Sequence, residues 1–308
     1  MPQRLSPSTL AHILLLAVVF IWGTTFVLVK DALQDASPLL FNLLRMALAF
    51  VALAIVDHRQ LRHITRHALF SGIIVGLFLA AGYQFQTAGL ARTTAAKSAF
   101  ITGLVVVFVP LFTIIPALRP ANTPAPRWTT AVGALLAFSG LLLLTTPAGT
   151  SPQNLFVSIG SGDLLTLGCA IAFAGHLLAL AHTSHKVPTG QLATIQIGVA
   201  ALIMAITLPI GGRPHLSVTP RLLIALAVTG LLATAAAFTI QSWAQQHLPP
   251  THTAILLTLE PVFACLTSFL VLHEHLGRRS LVGAALILAG ITVTELLSTS
   301  TPLPIHPE

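Results

Sequence analysis

The chain has 308 residues, of which 55% are hydrophobic and only 7% are charged. A typical soluble domain carries about 25% charged residues, so a soluble fold of this length could not cover its surface with so few charges. Fifteen Lys and Arg against eight Asp and Glu give a formal net charge of +7, but these cations are spread along the chain and form no basic face for nucleic acid. The composition therefore indicates a polytopic membrane protein in contact with the lipid bilayer, with cations that flank the hydrophobic spans.

Ten continuously apolar runs follow one another along the chain, each near the roughly 20 residues that a helix needs to cross the hydrocarbon core. They are predicted at residues 11–29, 39–56, 68–90, 98–118, 129–146, 164–181, 192–210, 222–243, 251–272 and 281–297. No clear small-residue cleavage site follows the first run, so it is predicted to be a permanent helix. The sequence thus predicts an all-α integral membrane protein of ten transmembrane helices joined by short connections.

The distribution of Lys and Arg predicts the orientation only through the first half of the chain. With the N-terminus placed inside, the inner and outer connections of the whole chain receive seven cations each. In the first half the inner connections carry six cations and the outer ones three. Because early helices usually set the orientation, both termini are predicted to be cytoplasmic, in the cell inner membrane.

The second half of the chain repeats the plan of the first half at a nearly constant offset. Arg45 falls on Gln196 and Pro110 on Pro261 at an offset of 151 residues. Because five is an odd number, a second five-helix copy crosses the membrane in the opposite orientation, a plan found in secondary transporters. The prediction is two inverted five-helix repeats, at residues 1–148 and 160–297, followed by a disordered tail at 298–308.

Two charged side chains are predicted inside the spans, where an unpaired charge costs about 2.5–3.5 kcal/mol at the helix centre. Arg45, in the second run, is either a contact for an anionic group of the substrate or a structural clamp on a neighbouring helix. Glu260 lies near the middle of the ninth run, where burial favours the neutral carboxyl group. It is therefore either a carrier of a coupled proton or a structural hydrogen-bonding group.

Prolines in the fourth and ninth runs predict matching breaks in two helices. A proline inside a helix cannot donate to the carbonyl four residues earlier. Pro110 would free one carbonyl in the fourth helix, and Pro261 would free one in the ninth. Freed backbone at membrane depth is tolerated only against protein or a water-filled cavity.

Neutral polar side chains recur inside the spans of both halves, together with aromatic surface. This combination is typical of a cavity for an uncharged or zwitterionic small molecule. A single residue of this kind more often makes an interhelical hydrogen bond, worth about 0.6 kcal/mol on average. As a set, however, these residues predict the lining of a substrate cavity. The set is Trp22, Thr25, Tyr83, Gln84, Gln86, Thr102, His176 and Gln241.

The sequence contains none of the common motifs for metal binding, nucleotide binding or hydrolysis. The thirteen histidines form no HExxH, the two cysteines form no CxxC, and GxxxxGK[ST] and GxSxG are absent. No metal and no cofactor are therefore predicted. One alternative function is an integral-membrane enzyme acting on a lipid or isoprenoid, which would need clustered acids where this chain has scattered ones. The other alternative is a passive channel.

Short motifs occur in a fixed order along the chain. They are residues 22–26 (WGTTF), 44–46 (LRM), 83–90 (YQFQTAGL), 100–104 (FITGL), 109–110 (VP), 259–263 (LEPVF), 273–277 (HEHLG) and 286–290 (LILAG). With these motifs the sequence resembles the EamA-type branch of the drug/metabolite transporter superfamily, over nearly the whole chain from about residue 11 to 297. His273 departs from the resemblance, since the family usually has Gly before the Glu at this point.

The resemblance implies a ten-helix inner-membrane carrier that moves small metabolites, often outward. Combined with the pattern of polar residues, it predicts a secondary transporter, not an enzyme, that works by alternating access. The predicted substrate is a small polar or amphipathic metabolite such as an amino-acid-like compound, and export is the predicted direction. The sequence makes no prediction of the oligomeric state.

Overall fold

The computed structural model of the protein describes residues 6–120, 128–145, 159–248, 253, 256–257, 259–275 and 277–296. The regular structure of these residues is helical, apart from one isolated bridge between Ala36 and Leu216. The helices are α1 (Pro7–Ala32), α2 (Pro38–Val56), α3 (His58–Leu61), α4 (Arg66–Leu90), α5 (Ala95–Thr102), α6 (Val105–Phe112), α7 (Trp128–Thr145), α8 (Ser161–Thr183), α9 (Thr189–Thr207), α10 (Pro220–Ala227), α11 (Ala237–Ala244), α12 (Glu260–Leu272) and α13 (Arg278–Leu296). A π-helical segment, Val228–Ala236, joins α10 to α11 without a break.

Seven stretches of helix among the described residues are long and apolar enough to cross a membrane. They are Pro7–Ala32, Pro38–Val56, Arg66–Leu90, Ala95–Phe112, Ser161–Thr183, Thr189–Gly211 and Pro220–Ala244. Each coincides with one of the predicted apolar runs, which confirms a helical protein with multiple spans. Of the other three predicted runs, 129–146 and 281–297 coincide with α7 and α13, while most of the first part of 251–272 lies outside the described residues. The total of ten spans stays a prediction, and the predicted tail at 298–308 also lies outside the described residues.

The helices begin where a hydroxyl side chain or a proline favours a first turn. Ser6 accepts from the backbone N–H of Thr9 at 3.1 Å at the start of α1. Thr65, Thr94 and Thr219 cap α4, α5 and α10 in the same way. These side chains satisfy backbone donors that have no partner within the helix. Boundaries of this kind are local, which is why the apolar runs predicted them to within a few residues.

The pair formed by α7 and α13 depends on glycine, because their backbones come into contact. A Cβ atom on Gly140 would lie 2.5 Å from the carbonyl oxygen of Gly283, and one on Gly283 would lie 2.6 Å from that of Gly140. Small residues at such crossings let two helices approach closely in a membrane, where van der Waals packing drives association. Elsewhere in the bundle, α4 packs between α8 and α9, and α1 packs against α11 and α12.

The fourth span is interrupted at Gly103 and Leu104, and Pro110 lies inside α6. The chain bridges the interruption with tight turns, in which Leu104 N–H donates to Ile101 and Val107 N–H donates to Leu104. A Cβ on Gly103 would lie 2.8 Å from Cγ of Pro261, which is the second residue of α12. The structure therefore places the interruption before Pro110, at the point where the glycine allows α12 to approach. Pro261 does mark a helix boundary, since α12 begins beside it.

One end of the bundle collects the end of α1, the α4–α5 connection and the start of α8. The Lys30 ammonium donates to the carbonyls of Leu90 and Thr93, each at 2.7 Å. Lys97 forms an ion pair with Asp163, the third residue of α8, at 2.9 Å. Since α1 ends and α8 begins at this end, the two helices run in opposite directions through the bundle.

His273 is the C-terminal cap of α12 and adopts a left-handed conformation with φ of 54°. A side chain is disfavoured in this conformation, whereas glycine adopts it freely. The His273 side chain is exposed, so its removal loses little packing. We expect His273→Gly to raise the free energy of unfolding by about 0.5–1 kcal/mol, measured as a higher midpoint of thermal unfolding in detergent. An unchanged or lower midpoint would show that the turn does not hold this residue in the left-handed region.

Candidate functional site

One cavity in the interior of the bundle gathers most of the polar residues that were predicted to line a substrate cavity. Its lining comes from α1, α2, α4, α5 and α6 in the first half of the chain and from α8, α11 and α12 in the second. The centres of water-sized molecules have about 70 Å³ of room in it. The polar and aromatic side chains of its lining are Trp22, Thr25, Phe26, Arg45, Tyr83, Gln86, Thr87, Thr102, Phe173, His176, Phe238, Gln241 and Glu260.

Arg45 connects α2 to the π-helical segment at the wall of this central cavity. Its Nε donates to the Thr234 hydroxyl at 2.7 Å, and its Nη2 donates to the Tyr83 hydroxyl at 3.0 Å and to the Ala233 carbonyl at 3.3 Å. The guanidinium carbon also lies 4.3 Å from the centre of the Tyr83 ring. Arg45 is only 3% exposed, so this network satisfies a charge that lipid would not tolerate. Of the two predicted roles, the observed contacts are those of the structural clamp.

The π-helical segment explains why a carbonyl is available to Arg45. A π-helix shifts the backbone hydrogen bonds by one residue, and such segments are often found at functional sites. The carbonyl of Ala233 accepts both from Arg45 and, at 2.9 Å, from the indole N–H of Trp22. Thr234 donates its own hydroxyl to the carbonyl of Thr229 at 2.7 Å while it accepts from Arg45. The segment therefore ties α1 and α2 to the helix that continues as α11.

Asn42 does not line the cavity but hydrogen-bonds to two residues that do, and it was not among the predicted site residues. It is fully buried; its amide donates to the backbone carbonyl of Tyr83 at 2.9 Å and accepts from the Thr87 hydroxyl at 2.9 Å. The signal for it was available, because Asn42 precedes Arg45 by three residues and the two share a helix face.

His176 faces the cavity from α8 and is held by a second buried network. Its Nε2 lies 2.9 Å from Oε1 of Gln196, whose amide in turn donates to the Ser242 hydroxyl at 3.5 Å. Because a glutamine oxygen only accepts, the Nε2 atom of His176 carries the proton in this arrangement. Gln196 is the residue that the repeat pattern aligned with Arg45, and each of the two holds another polar residue of the cavity lining.

Aromatic rings form the apolar part of the cavity, and Phe238 is its common neighbour. The Phe238 ring centre lies 5.5 Å from that of Trp22, 6.0 Å from that of Tyr83 and 5.5 Å from that of His176. Phe173 packs edge-on against Tyr83 at 5.3 Å. The sequence gave no reason to select Phe238 for the cavity. Apolar residues recur throughout the spans, so periodicity does not single out those that line a cavity.

Glu260 and Gln241 line the cavity, and their side-chain oxygens accept no hydrogen bond from the residues that the structure describes. Among the residues that the structure describes, the Glu260 carboxyl group makes no hydrogen bond or ion pair. Within the same part of the chain, Oε1 of Gln241 is buried and has no hydrogen-bond partner. Thr102 also lines the cavity, with its hydroxyl 3.8 Å from the sulfur of Cys169.

Nearly all of the residues predicted for the cavity are brought together there, and Gln84 is the exception. The Gln84 amide oxygen accepts from the Thr207 hydroxyl of α9 at 3.0 Å, and the residue is not part of the lining. Helical geometry explains the difference, since a residue next to Tyr83 in sequence is turned about 100° from it. The role of the lining residues in substrate binding stays a prediction.

Charged groups at the end of the bundle beside Lys30 link connections from the two halves of the chain. The Arg221 guanidinium donates from Nε and Nη2 to the two carboxylate oxygens of Asp35, each at 2.8 Å. These hydrogen bonds, with one from the Thr219 hydroxyl, lower the pKa of Asp35 to about 2, so Asp35 stays ionised at neutral pH. The Glu274 carboxylate accepts from the backbone N–H groups of Ala95 and Ala96 at the start of α5.

No group of three or more His, Cys, Asp and Glu side chains with the spacing of a metal site occurs in the described residues. Among the residues that the structure describes, the cavity lining contains one carboxyl group, from Glu260, and one imidazole, from His176. The fold is that of a helical, multi-pass membrane protein with an internal cavity.

Comparison with known proteins identifies the family. The model of the EamA-like transporter family matches residues 9–146 and again residues 160–296. An uncharacterized transporter of Archaeoglobus fulgidus is 32% identical over 279 residues, covering 91% of this chain and 83% of that protein. The uncharacterized transporter YoaV of Bacillus subtilis is 25% identical over 286 residues, covering 90% and 94%. A chloroplastic WAT1-related protein of Arabidopsis thaliana is 27% identical over 286 residues, covering 90% and 67%.

A solved crystal structure shares the fold, with a TM-score of 0.66 and 19% identity over 94% of this chain and 98% of that one. The matches to the family model cover most of the chain, and they show that it belongs to the EamA-like transporter family and is a multi-pass membrane transporter.

Proposed function

We propose that the protein is a secondary transporter that exports small polar or amphipathic metabolites, such as amino-acid-like compounds, across the cell inner membrane by alternating access. The observation that carries this proposal is the central cavity, whose lining includes Arg45 and Tyr83 from the first half of the chain and His176, Gln241 and Glu260 from the second. A site shared between two halves is reachable from either side of the membrane when the halves move against each other.

The proposed architecture has ten spans in two inverted units, at residues 1–148 and 160–297. The opposite directions of α1 and α8 support it, since these helices begin the two units and meet through the contacts of Lys30 and Lys97 at one end. The packing of α7 against α13 supports it too, because these helices would close the two units. With ten spans and a cytoplasmic N-terminus, the C-terminus is cytoplasmic as well.

The shape of the cavity supports a state that is accessible from the end where α1 finishes. On α1 the lining extends from Trp22 to Val29, and on α4 from Tyr83 to Leu90. Both stretches lie in the halves of their helices nearest that end. The opposite end is closed by a buried cluster of Ala11, Leu15, Ala244 and Leu248. With cytoplasmic termini, this state faces outward.

Transport is tested by reconstituting the purified protein into liposomes. A metabolite panel is first screened for ligands that raise the thermal stability in a concentration-dependent way. A ligand found in this way should show saturable flux and counterflow, because a carrier binds its substrate on each crossing. Flux that never saturates and shows no counterflow would favour a channel, and turnover of a lipid without flux would favour an enzyme.

Coupling to protons is proposed to depend on Glu260. We expect Glu260→Gln to remove the dependence of flux on pH, because glutamine keeps the shape of the side chain but binds no proton in this range. The control is Asp31→Asn, which changes a half-exposed carboxylate at the rim of the bundle and should leave the pH dependence in place. An unaltered pH dependence in the Glu260 variant would rule out this role.

A further inference from the structure

Three hydrogen-bond donors in the lining of the central cavity are used within the protein. The indole N–H of Trp22 donates to Ala233 at 2.9 Å, and the hydroxyl of Thr25 donates to the Trp22 carbonyl at 2.8 Å. The hydroxyl of Thr87 donates to the side-chain oxygen of Asn42 at 2.9 Å. A ligand that brings only acceptors, such as a carboxylate, would have to compete with these bonds.

Two acceptor groups of the same cavity have no hydrogen-bond partner among the described residues. Oε1 of Gln241 has no hydrogen-bond partner among the described residues, although the side chain is only 3% exposed. The Glu260 carboxyl group likewise has neither a hydrogen bond nor an ion pair in the described part of the chain. A buried acceptor without a donor is uncommon in folded proteins and requires an explanation. The simplest one is that the donor belongs to the ligand.

The charge and the aromatic surface of the cavity restrict the kind of donor. Glu260 supplies the only carboxyl group of the lining within the described part of the chain, and it lies in a cavity whose walls include Trp22, Phe173 and Phe238. Ring faces attract cations, and the attraction is stronger when water is excluded. The cationic side chain of the cavity, Arg45, donates from Nε and Nη2 to Thr234, Tyr83 and Ala233. An ammonium group fits the remaining groups, because it has three donors and no acceptor.

We propose that the transported compound carries a protonated primary amine on a short apolar body, and that Glu260 and Gln241 bind the ammonium group. The inference rests on the proposed transport function and specifies its substrate class. In the state described here the cavity leaves about 70 Å³ for the centres of water-sized molecules, so the body is that of a short aliphatic chain.

The proposal is tested by calorimetric titration of the purified protein with three probes of nearly equal shape. These are isoamylamine, isoamyl alcohol and isovalerate, which differ in carrying an ammonium, a hydroxyl or a carboxylate group. We expect the amine to bind at least tenfold more tightly than the other two. Glu260→Gln should weaken amine binding at least tenfold and alcohol binding much less, and an unchanged midpoint of thermal unfolding would show that the variant is still folded.

The matched pair of glutamine variants tests the second acceptor. Gln241→Met removes the unpaired oxygen and should weaken amine binding severalfold. Gln84→Met makes the same change on a glutamine that bonds Thr207 outside the cavity, and amine affinity should not change. Equal effects of the two substitutions would overturn the role of Gln241.

The amine proposal is overturned if the amine binds no more tightly than the alcohol or isovalerate, or if Glu260→Gln leaves its affinity unchanged. Its failure is distinguishable from failure of the transport proposal. Saturable flux of another compound, without any preference for amines, would contradict the amine site and support the transport function. Glu260-dependent amine binding without flux in liposomes would support the amine site and contradict the transport function.

Discussion

Gly23→Ala is expected to lower the free energy of unfolding by about 2–3 kcal/mol and to abolish transport. Gly23 lies where α1 crosses the start of α12. A Cβ atom there would lie 2.6 Å from Cβ of Phe263 and 2.8 Å from the carbonyl oxygen of Glu260. Because the first of these atoms is bonded directly to the backbone and the second is part of it, one helix must move to admit a methyl group. That movement would displace Glu260 from the cavity wall.

The control for this prediction is Gly168→Ala in α8. A Cβ at Gly168 meets only the Phe85 ring, at 3.5 Å or more, which is an ordinary contact. This substitution should leave stability unchanged or raise it by about 0.5–1 kcal/mol, since alanine is the better helix former. Unfolding in detergent and flux in liposomes measure both variants. Equal stability of the two would show that α1 and α12 do not cross so closely.

Arg45→Lys is expected to lower stability by about 2–4 kcal/mol and flux at least tenfold, although the charge is kept. The guanidinium reaches the Thr234 hydroxyl, the Tyr83 hydroxyl and the Ala233 carbonyl from two of its nitrogens. Lysine has a single nitrogen and cannot reproduce this fork. A hydrogen bond to a charged group contributes about 1.5–3 kcal/mol. The loss of one or two such hydrogen bonds therefore accounts for the expected loss of stability.

The same substitution at Arg92 is the control. Arg92 is exposed and donates to the carbonyl of Ala88 within its own turn of helix, so Arg92→Lys should change stability by no more than about 0.5 kcal/mol. Thermal unfolding and flux are again the measurements. Parental stability and flux in the Arg45 variant would mean that a positive charge alone suffices at this position.

The polar residues of α4 show how much of the cavity lining a sequence pattern can predict. Tyr83, Gln86, Thr87 and Leu90 follow one another at the spacing of a single helix face, and all four line the cavity. Gln84 breaks that spacing and lies against α9. The spacing therefore contained enough information to separate Gln86 from Gln84, whereas polarity alone selected both.

The fourth span illustrates what a local rule misses. Proline predicts a helix break at its own position, yet α6 continues through Pro110 and the interruption lies at Gly103 and Leu104. The cause is the close approach of Pro261 from α12, a residue far away in the sequence. A contact between distant segments leaves no signal in the hydropathy of either one.

The sequence by itself determined that this is a helical membrane protein with many spans, and it selected most of the polar residues of the cavity. It did so because insertion into lipid and polar groups inside an apolar run are properties of a single segment. Only the tertiary structure decided which acceptors stay unpaired, that Arg45 clamps the π-helical segment, and that Asn42 and Phe238 belong to the site. Those properties depend on which helices meet and at which turn, and the packing of side chains from distant segments sets both.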